Sequence, residues 1–105
     1  MSTRMDVTVT NARDRKRYEA RVDGTLAAIA DYIPTDELVA FTHTEVLDGF
    51  EGQGVGSVLV GRALDDVRGQ HLAVLAVCPF VSGYVQRHPE YSDLLYRSRT
   101  GAVAD

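Results

Sequence analysis

Glu51-Gly52-Gln53-Gly54-Val55-Gly56-Ser57 joins two halves of the chain that follow different periods. Before it, apolar and polar residues alternate. After it, apolar residues recur every three or four positions. The stretch therefore reads as a strand-to-helix junction. Such a junction presents backbone N–H groups without helical partners, at the positive end of the helix dipole. That is a ready anion site. Gly52, Gly54 and Gly56 carry no Cβ, so a phosphate can approach the backbone, and Ser57 adds a hydroxyl in the first turn. Two nucleotide patterns are excluded. The P-loop needs Gly-Lys-Ser or Gly-Lys-Thr, and no Lys stands here. The dinucleotide fingerprint needs a loop after the first strand of a βαβ unit, with an acid about 20 residues on. Here the loop follows several strands, and the chain from Leu72 is apolar. The glycines alone are equally compatible with a tight turn that binds nothing.

Upstream of the loop the chain reads as strands. Val7 and Val9 alternate with Thr8 and Thr10, and Tyr18, Ala20 and Val22 with Glu19 and Arg21. Asp23-Gly24 between two such runs is a two-residue hairpin signal. Leu26 to Ile33 continues as a strand that Pro34-Thr35-Asp36 breaks. Leu38 to Val46, rich in β-branched and aromatic residues, is the next. Three antiparallel connections make a meander. Downstream, Val55, Val58, Leu59, Ala63, Leu64 and Val67 trace an amphipathic helix ending near Gly69. Leu72 to Val77 is a continuous apolar run, expected of a strand covered on both faces. Strand, helix, strand implies a right-handed crossover and a parallel pair. Pro79 suits the first turn of a short helix that ends before Pro89. A last turn, Tyr91 to Tyr96, is expected to pack back on the sheet. The fold class is α+β: a mixed sheet with an antiparallel N-terminal meander and a C-terminal parallel β-α-β crossover. Met1 to Met5 and Arg97 to Asp105 read as loosely held tails.

At 105 residues, 45% hydrophobic and 25% charged, the composition is that of one globular domain spanning 1–105. The formal charge of -4 argues against nucleic acid as a partner, which wants clustered Lys and Arg. Arg13-Asp14-Arg15-Lys16-Arg17 lacks interleaved aromatics and reads as a solvated turn. The single cysteine, Cys78, excludes an internal disulfide and fits a reducing cytoplasm. No run approaches the roughly 20 apolar residues that span a bilayer. The three His and one Cys are scattered, without zinc-ligand spacing.

The stretch from His43 to Leu95 resembles the GNAT superfamily of N-acetyltransferases. The resemblance rests on Phe41-Thr42-His43-Thr44-Glu45-Val46, Gly52-Gln53-Gly54-Val55-Gly56-Ser57, Cys78-Pro79-Phe80-Val81 and Arg87-His88-Pro89-Glu90-Tyr91, in that order. It points to a small single-domain branch and a minimal GNAT-like fold. It implies acetyl-CoA as co-substrate and no metal. By that resemblance the amides of Gln53, Gly54, Val55, Gly56 and Ser57 hold the pyrophosphate of coenzyme A. Val46 and Leu47 pair with the pantetheine arm, and Pro79 and Phe80 wall its channel. Glu51 departs from the Gln or Arg usual at that motif position. A carboxylate beside a pyrophosphate is unfavourable, so Glu51 is expected to face solvent or to cap the helix start.

Cys78 ends an apolar strand and precedes a helix, and a helix N-terminus favours the thiolate. On position alone it is as readily a small core hydrophobe. His43 alternates onto one strand face with Phe41 and Glu45, where a lone histidine is ordinarily a packed or surface residue. In the small family that the chain resembles, the matching histidine and cysteine are the proposed catalytic pair. Two routes follow: His43 deprotonates an amine that attacks the thioester, or Cys78 first takes the acetyl group. Tyr84 matches the region of the acid that protonates the leaving thiolate in larger relatives, against a packing role. Arg87 and His88 are placed to reach the 3′-phosphate, against a solvated one. The implied acceptor is an amine: a small amine or polyamine, a peptide, or a protein lysine. A non-catalytic acyl-CoA binding module is the other reading, and a monomer or weak homodimer is expected.

Overall fold

The structure, a computed structural model, describes residues 6–96, so the two expected tails lie outside the described residues. Strands β1 (Val7–Ala12), β2 (Arg17–Val22), β3 (Thr25–Pro34) and β4 (Leu38–Val46) precede helix α1 (Val55–Gly69). Strand β5 (Ala73–Ala76), helix α2 (Pro79–Arg87) and a 3₁₀ turn (Pro89–Leu94) follow. The sheet runs β1-β2-β3-β4-β5. Its first three pairings are antiparallel and the last, β4 with β5, is parallel. The expected α+β arrangement is therefore the one formed.

Local chemistry accounts for the turns. Asp23 (φ 51°) and Gly24 (φ 83°) both sit in the left-handed region that a two-residue hairpin needs. After Pro34, the Thr35 hydroxyl accepts the amides of Glu37 and Leu38, which reverses the chain into β4.

Helix α1 buries Val55, Leu59, Val60, Ala63, Leu64 and Val67 on the sheet. Facing them are Tyr18, Ala20, Ala28, Ala30, Tyr32, Val39 and Phe41. Helix α2 lies on the same side: its Phe80 meets α1 at Gly56 and its Tyr84 at Gly61. Among the described residues no helix packs on the other face of the sheet.

Strand β5 departs from expectation. Its apolar run is not covered on both faces, for Leu75 is 41% exposed and Val77 59%. It is the edge strand, and both helices sit on the Val74 side. A parallel bridge from Leu95 to Val74 covers part of its outer edge. Apolar continuity is the mark of a strand covered on both faces, and among the described residues helices cover only one.

One charged cluster was not foreseen. Glu19 is 3% exposed, on the face without helices. Arg17 and Arg21 donate to its two carboxylate oxygens at 2.8 Å each, and Arg15 at 3.2 Å. The basic turn that read as solvated is in part the counter-charge of a buried carboxylate.

Candidate active site

The glycine loop forms as a left-handed entry into α1. Gly52 (φ 77°) and Gly54 (φ 81°) take conformations that L side chains rarely adopt, and open space surrounds both. Gly54 is the N-cap of α1, with no side-chain hydrogen bond in the capping position. The Gly54 carbonyl accepts the amide of Val58 at 3.1 Å, so the amides of Val55, Gly56 and Ser57 are left without intrahelical partners. Glu51 is exposed, and its carboxylate accepts the amide of Gly49 at 3.0 Å. It faces solvent as expected, but it braces the loop rather than capping the helix. Gly56 has a different function from the other two. A Cβ there would lie 2.7 Å from Phe80 Cζ and 3.1 Å from Val46 Cγ2, so its bareness admits side chains of α2 and β4.

Strand β4 leaves its partner halfway. Pairing with β5 runs from Leu38↔Ala73 to Phe41↔Ala76, and the Cys78 amide donates to Phe41 O at 2.9 Å. From Thr42 to Val46 that side of β4 has no strand beside it among the described residues. A polyamide arm can pair there. Val46 fits this use. The Leu47 amide is already given to Ala27 O at 2.8 Å, and its carbonyl accepts Phe50 at 3.1 Å.

A bulge in the same strand reorders the site. Asp31 pairs with His43 but Tyr32 with Phe41, so β4 carries one extra residue, Thr42. Thr44 and Val46 consequently face the helices: Thr44 Oγ1 lies 3.4 Å from Cys78 Sγ, and Val46 approaches Gly56. Adjacent strand residues face opposite ways, so His43 and Glu45 point to the open face. Simple alternation put His43 with Phe41. The bulge corrects this: Phe41 is buried and the His43 side chain is 57% exposed. His43 Nε2 is 3.3 Å from Glu45 Oε1. The expected His43–Cys78 contact is thus replaced by Thr44–Cys78, with His43 across the sheet. Sequence alternation cannot reveal a bulge, which is why Thr44 went unnoticed.

Cys78 is buried and is the N-cap of α2. Burial pushes its thiol up. Hydrogen bonding with the Thr44 hydroxyl, and then with the backbone of Val81, Phe80 and Thr44, outweighs that, leaving the thiol below its ordinary value. Pro79 and Phe80 open α2 beside it, Pro79 exposed and Phe80 against Gly56.

A groove of about 410 Å³ continues from Ser57 along α1, past Gly61, Arg62 and Asp65, to Tyr84, His88 and Tyr91. Tyr84 is buried and stacks on His88 with centroids 4.2 Å apart. A Cβ on Gly61 would lie 2.6 Å from its hydroxyl, so the packing role is realised against α1. Burial, then Asp65 and Glu90, raise its pKa. Arg87 is exposed at the end of α2 and does not line this groove, whereas His88 does. Among the described residues no three His, Cys, Asp or Glu gather as a metal site, and no helix is long and apolar enough to cross a membrane.

Comparison with known proteins bears on the family and the fold. The family model described as GCN5-related N-acetyl-transferase matches residues 17–94. Protein NATD1 of Mus musculus is 28% identical over 86 residues, 79% of this chain and 77% of that protein. Protein NATD1 of Xenopus tropicalis is 27% identical over 92 residues, 85% of this chain and 84% of the other. Among solved structures, a GCN5-like putative N-acetyltransferase from Staphylococcus aureus superposes with a TM-score of 0.63 at 20% identity, covering 93% of this chain and 94% of that one. The aminoglycoside N-acetyltransferase AAC(6')-Iy, solved in complex with CoA, gives 0.53 at 15% identity over 94% and 97% of the two chains.

Proposed function

The chain belongs to the GCN5-related N-acetyltransferase family, and we propose that it transfers an acetyl group from acetyl-CoA to an amine. The observation that carries this is the junction of β4 and α1. There, the unpartnered amides of α1 adjoin the half of β4 that β5 leaves unpaired. A pyrophosphate takes the amides of Val55, Gly56 and Ser57, with Gln53 and Gly54 framing the turn. The pantetheine arm runs along Val46 under Phe80 and Pro79, and its thioester reaches the Cys78 end of the cleft.

The helix face receives the cofactor, and the open face receives the amine. His43 stands on that second face with Glu45 beside it. In direct transfer His43 takes the proton of the attacking amine. The nitrogen–carbon bond forms, the carbon–sulfur bond breaks, and coenzyme A leaves as a thiolate that is then protonated. In the covalent route the Cys78 sulfur attacks the thioester, coenzyme A leaves and takes up the thiol proton, and the amine then attacks the new thioester, gives up a proton and releases the Cys78 thiol. The separation of His43 from Cys78 by the sheet favours direct transfer. The open face suits a polyamine, a peptide or a protein lysine as acceptor.

Isothermal titration with acetyl-CoA tests the first step, and absence of binding would remove the proposal. With a panel of polyamines and lysine peptides as acceptors, His43→Ala is expected to lower acetyl transfer by roughly 10²-fold or more. Unchanged transfer in both His43→Ala and Cys78→Ala would sink the catalytic assignment. Intact mass after exposure to acetyl-CoA alone separates the routes, since only the covalent one leaves an acetyl adduct on Cys78.

A further inference from the structure

Thr44 is the one polar side chain of β4 that the bulge turns toward the helices beside Cys78. Its hydroxyl oxygen, 3.4 Å from the Cys78 sulfur, is that sulfur's only side-chain hydrogen-bond partner among the described residues. Cys78 is itself the N-cap of α2, with no side-chain hydrogen bond in the capping position. The strand hydroxyl of Thr44 is thus the contact that holds the sulfur at the start of that helix.

We propose that Thr44 is a positioning residue, whose hydroxyl keeps the Cys78 sulfur in place at the start of α2. A hydroxyl suits this because it both accepts and donates. It accepts from the thiol. Once the thiol proton has left to solvent, it turns and donates to the thiolate, so the contact survives ionisation. Valine has the same shape and can do neither. Threonine is also β-branched, which restricts χ1 and keeps the oxygen aimed. Burial penalises charge on this sulfur, and the hydrogen bonds offset the penalty. Without the hydroxyl the sulfur is free to turn away from the start of α2.

The inference rests on the proposed cleft, whose thioester end lies at Cys78, but its test does not need acetyl transfer. Cys78 is the chain's only cysteine. The ultraviolet absorbance of the thiolate therefore reports it alone, with Cys78→Ser as the blank. Thr44→Val is expected to move the titration midpoint up by about half to one pH unit. Thr44→Ser, which keeps the hydroxyl, is expected to restore the wild-type midpoint. A Thr44→Val protein that is folded by circular dichroism and titrates like wild type overturns the proposal. So does a serine variant that titrates like valine. If Thr44→Val fails to fold, Thr44→Ala carries the same expectation and the same refutation. An upward shift without any acetyl adduct on Cys78 supports the hold of Thr44 on the sulfur while removing the covalent route, so the two readings fail separately.

Discussion

Single residues in this protein do their work through what they exclude or oppose. Gly56 illustrates exclusion. A phosphate site asks for bare backbone, but the space beside Gly56 is taken by Phe80 and Val46. Glu19 illustrates opposition. Hydrogen bonding from Arg21, acting against burial and reinforced by Arg17 and Arg15, holds its carboxyl down at about 2 from an ordinary 4.5. A depressed carboxyl stabilises the folded chain fully above its unfolded value. That stabilisation is lost as pH falls from about 4.5 to about 2. Glu19→Gln is expected to cost on the order of 2 kcal/mol at neutral pH, the exposure of the arginines trimming the larger figure that the shift alone would give. It should also flatten the stability profile between these values. Urea unfolding from pH 3 to pH 7 checks both, and a variant with the wild-type slope would show that Glu19 is not the group responsible.

At the scale of elements, the site depends on how closely α2 approaches α1. Gly61 sets that approach, since a Cβ there would stand 2.6 Å from the Tyr84 hydroxyl. Gly61→Ala gains about 1 kcal/mol of helix propensity and must displace a buried ring. Displacement dominates because Tyr84 is packed on His88 as well as on α1. The expected result is a net loss of about 1–2 kcal/mol in thermal or urea unfolding, with weaker acetyl-CoA binding by titration. A stabilised variant with intact binding would mean that the two helices part at no cost. The bulge in β4 is the other decisive element. By adding Thr42 it sends His43 to the open face while Thr44 meets Cys78.

At the scale of the whole molecule, one face of the sheet carries helices and the other, among the described residues, does not. Under the proposed function cofactor and acceptor approach from opposite sides, meeting where β4 and β5 separate. The formal charge is -4, so attraction of an anionic cofactor has to be local, from helix amides and the few cations nearby. Binding that is specific to the folded chain stabilises it. Acetyl-CoA at a hundredfold excess over Kd is expected to add about 2.7 kcal/mol and raise Tm by on the order of 10 °C. A thermal melt that does not move with acetyl-CoA would contradict the proposed site.

Much of this architecture is local and therefore legible in the chain. The Asp23-Gly24 turn, the bounds of β4 and α1, and the Pro79 start of α2 follow from φ preferences, periodicity and the missing proline N–H, which are properties of neighbours in sequence. The phosphate-ready helix start is local in the same sense. What only the tertiary structure decided depends on residues far apart in the chain. A bulge is a mismatch between two strands, and neither strand encodes it alone, so the side of the sheet taken by His43 could not be read. The 3.4 Å contact of Thr44 with Cys78 spans 34 positions. The exposure of Leu75 and Val77 follows from both helices packing on the Val74 side of the sheet. Burial of Glu19 required three arginines to converge from the sheet and its preceding turn, and a charge pattern records their presence but not their direction.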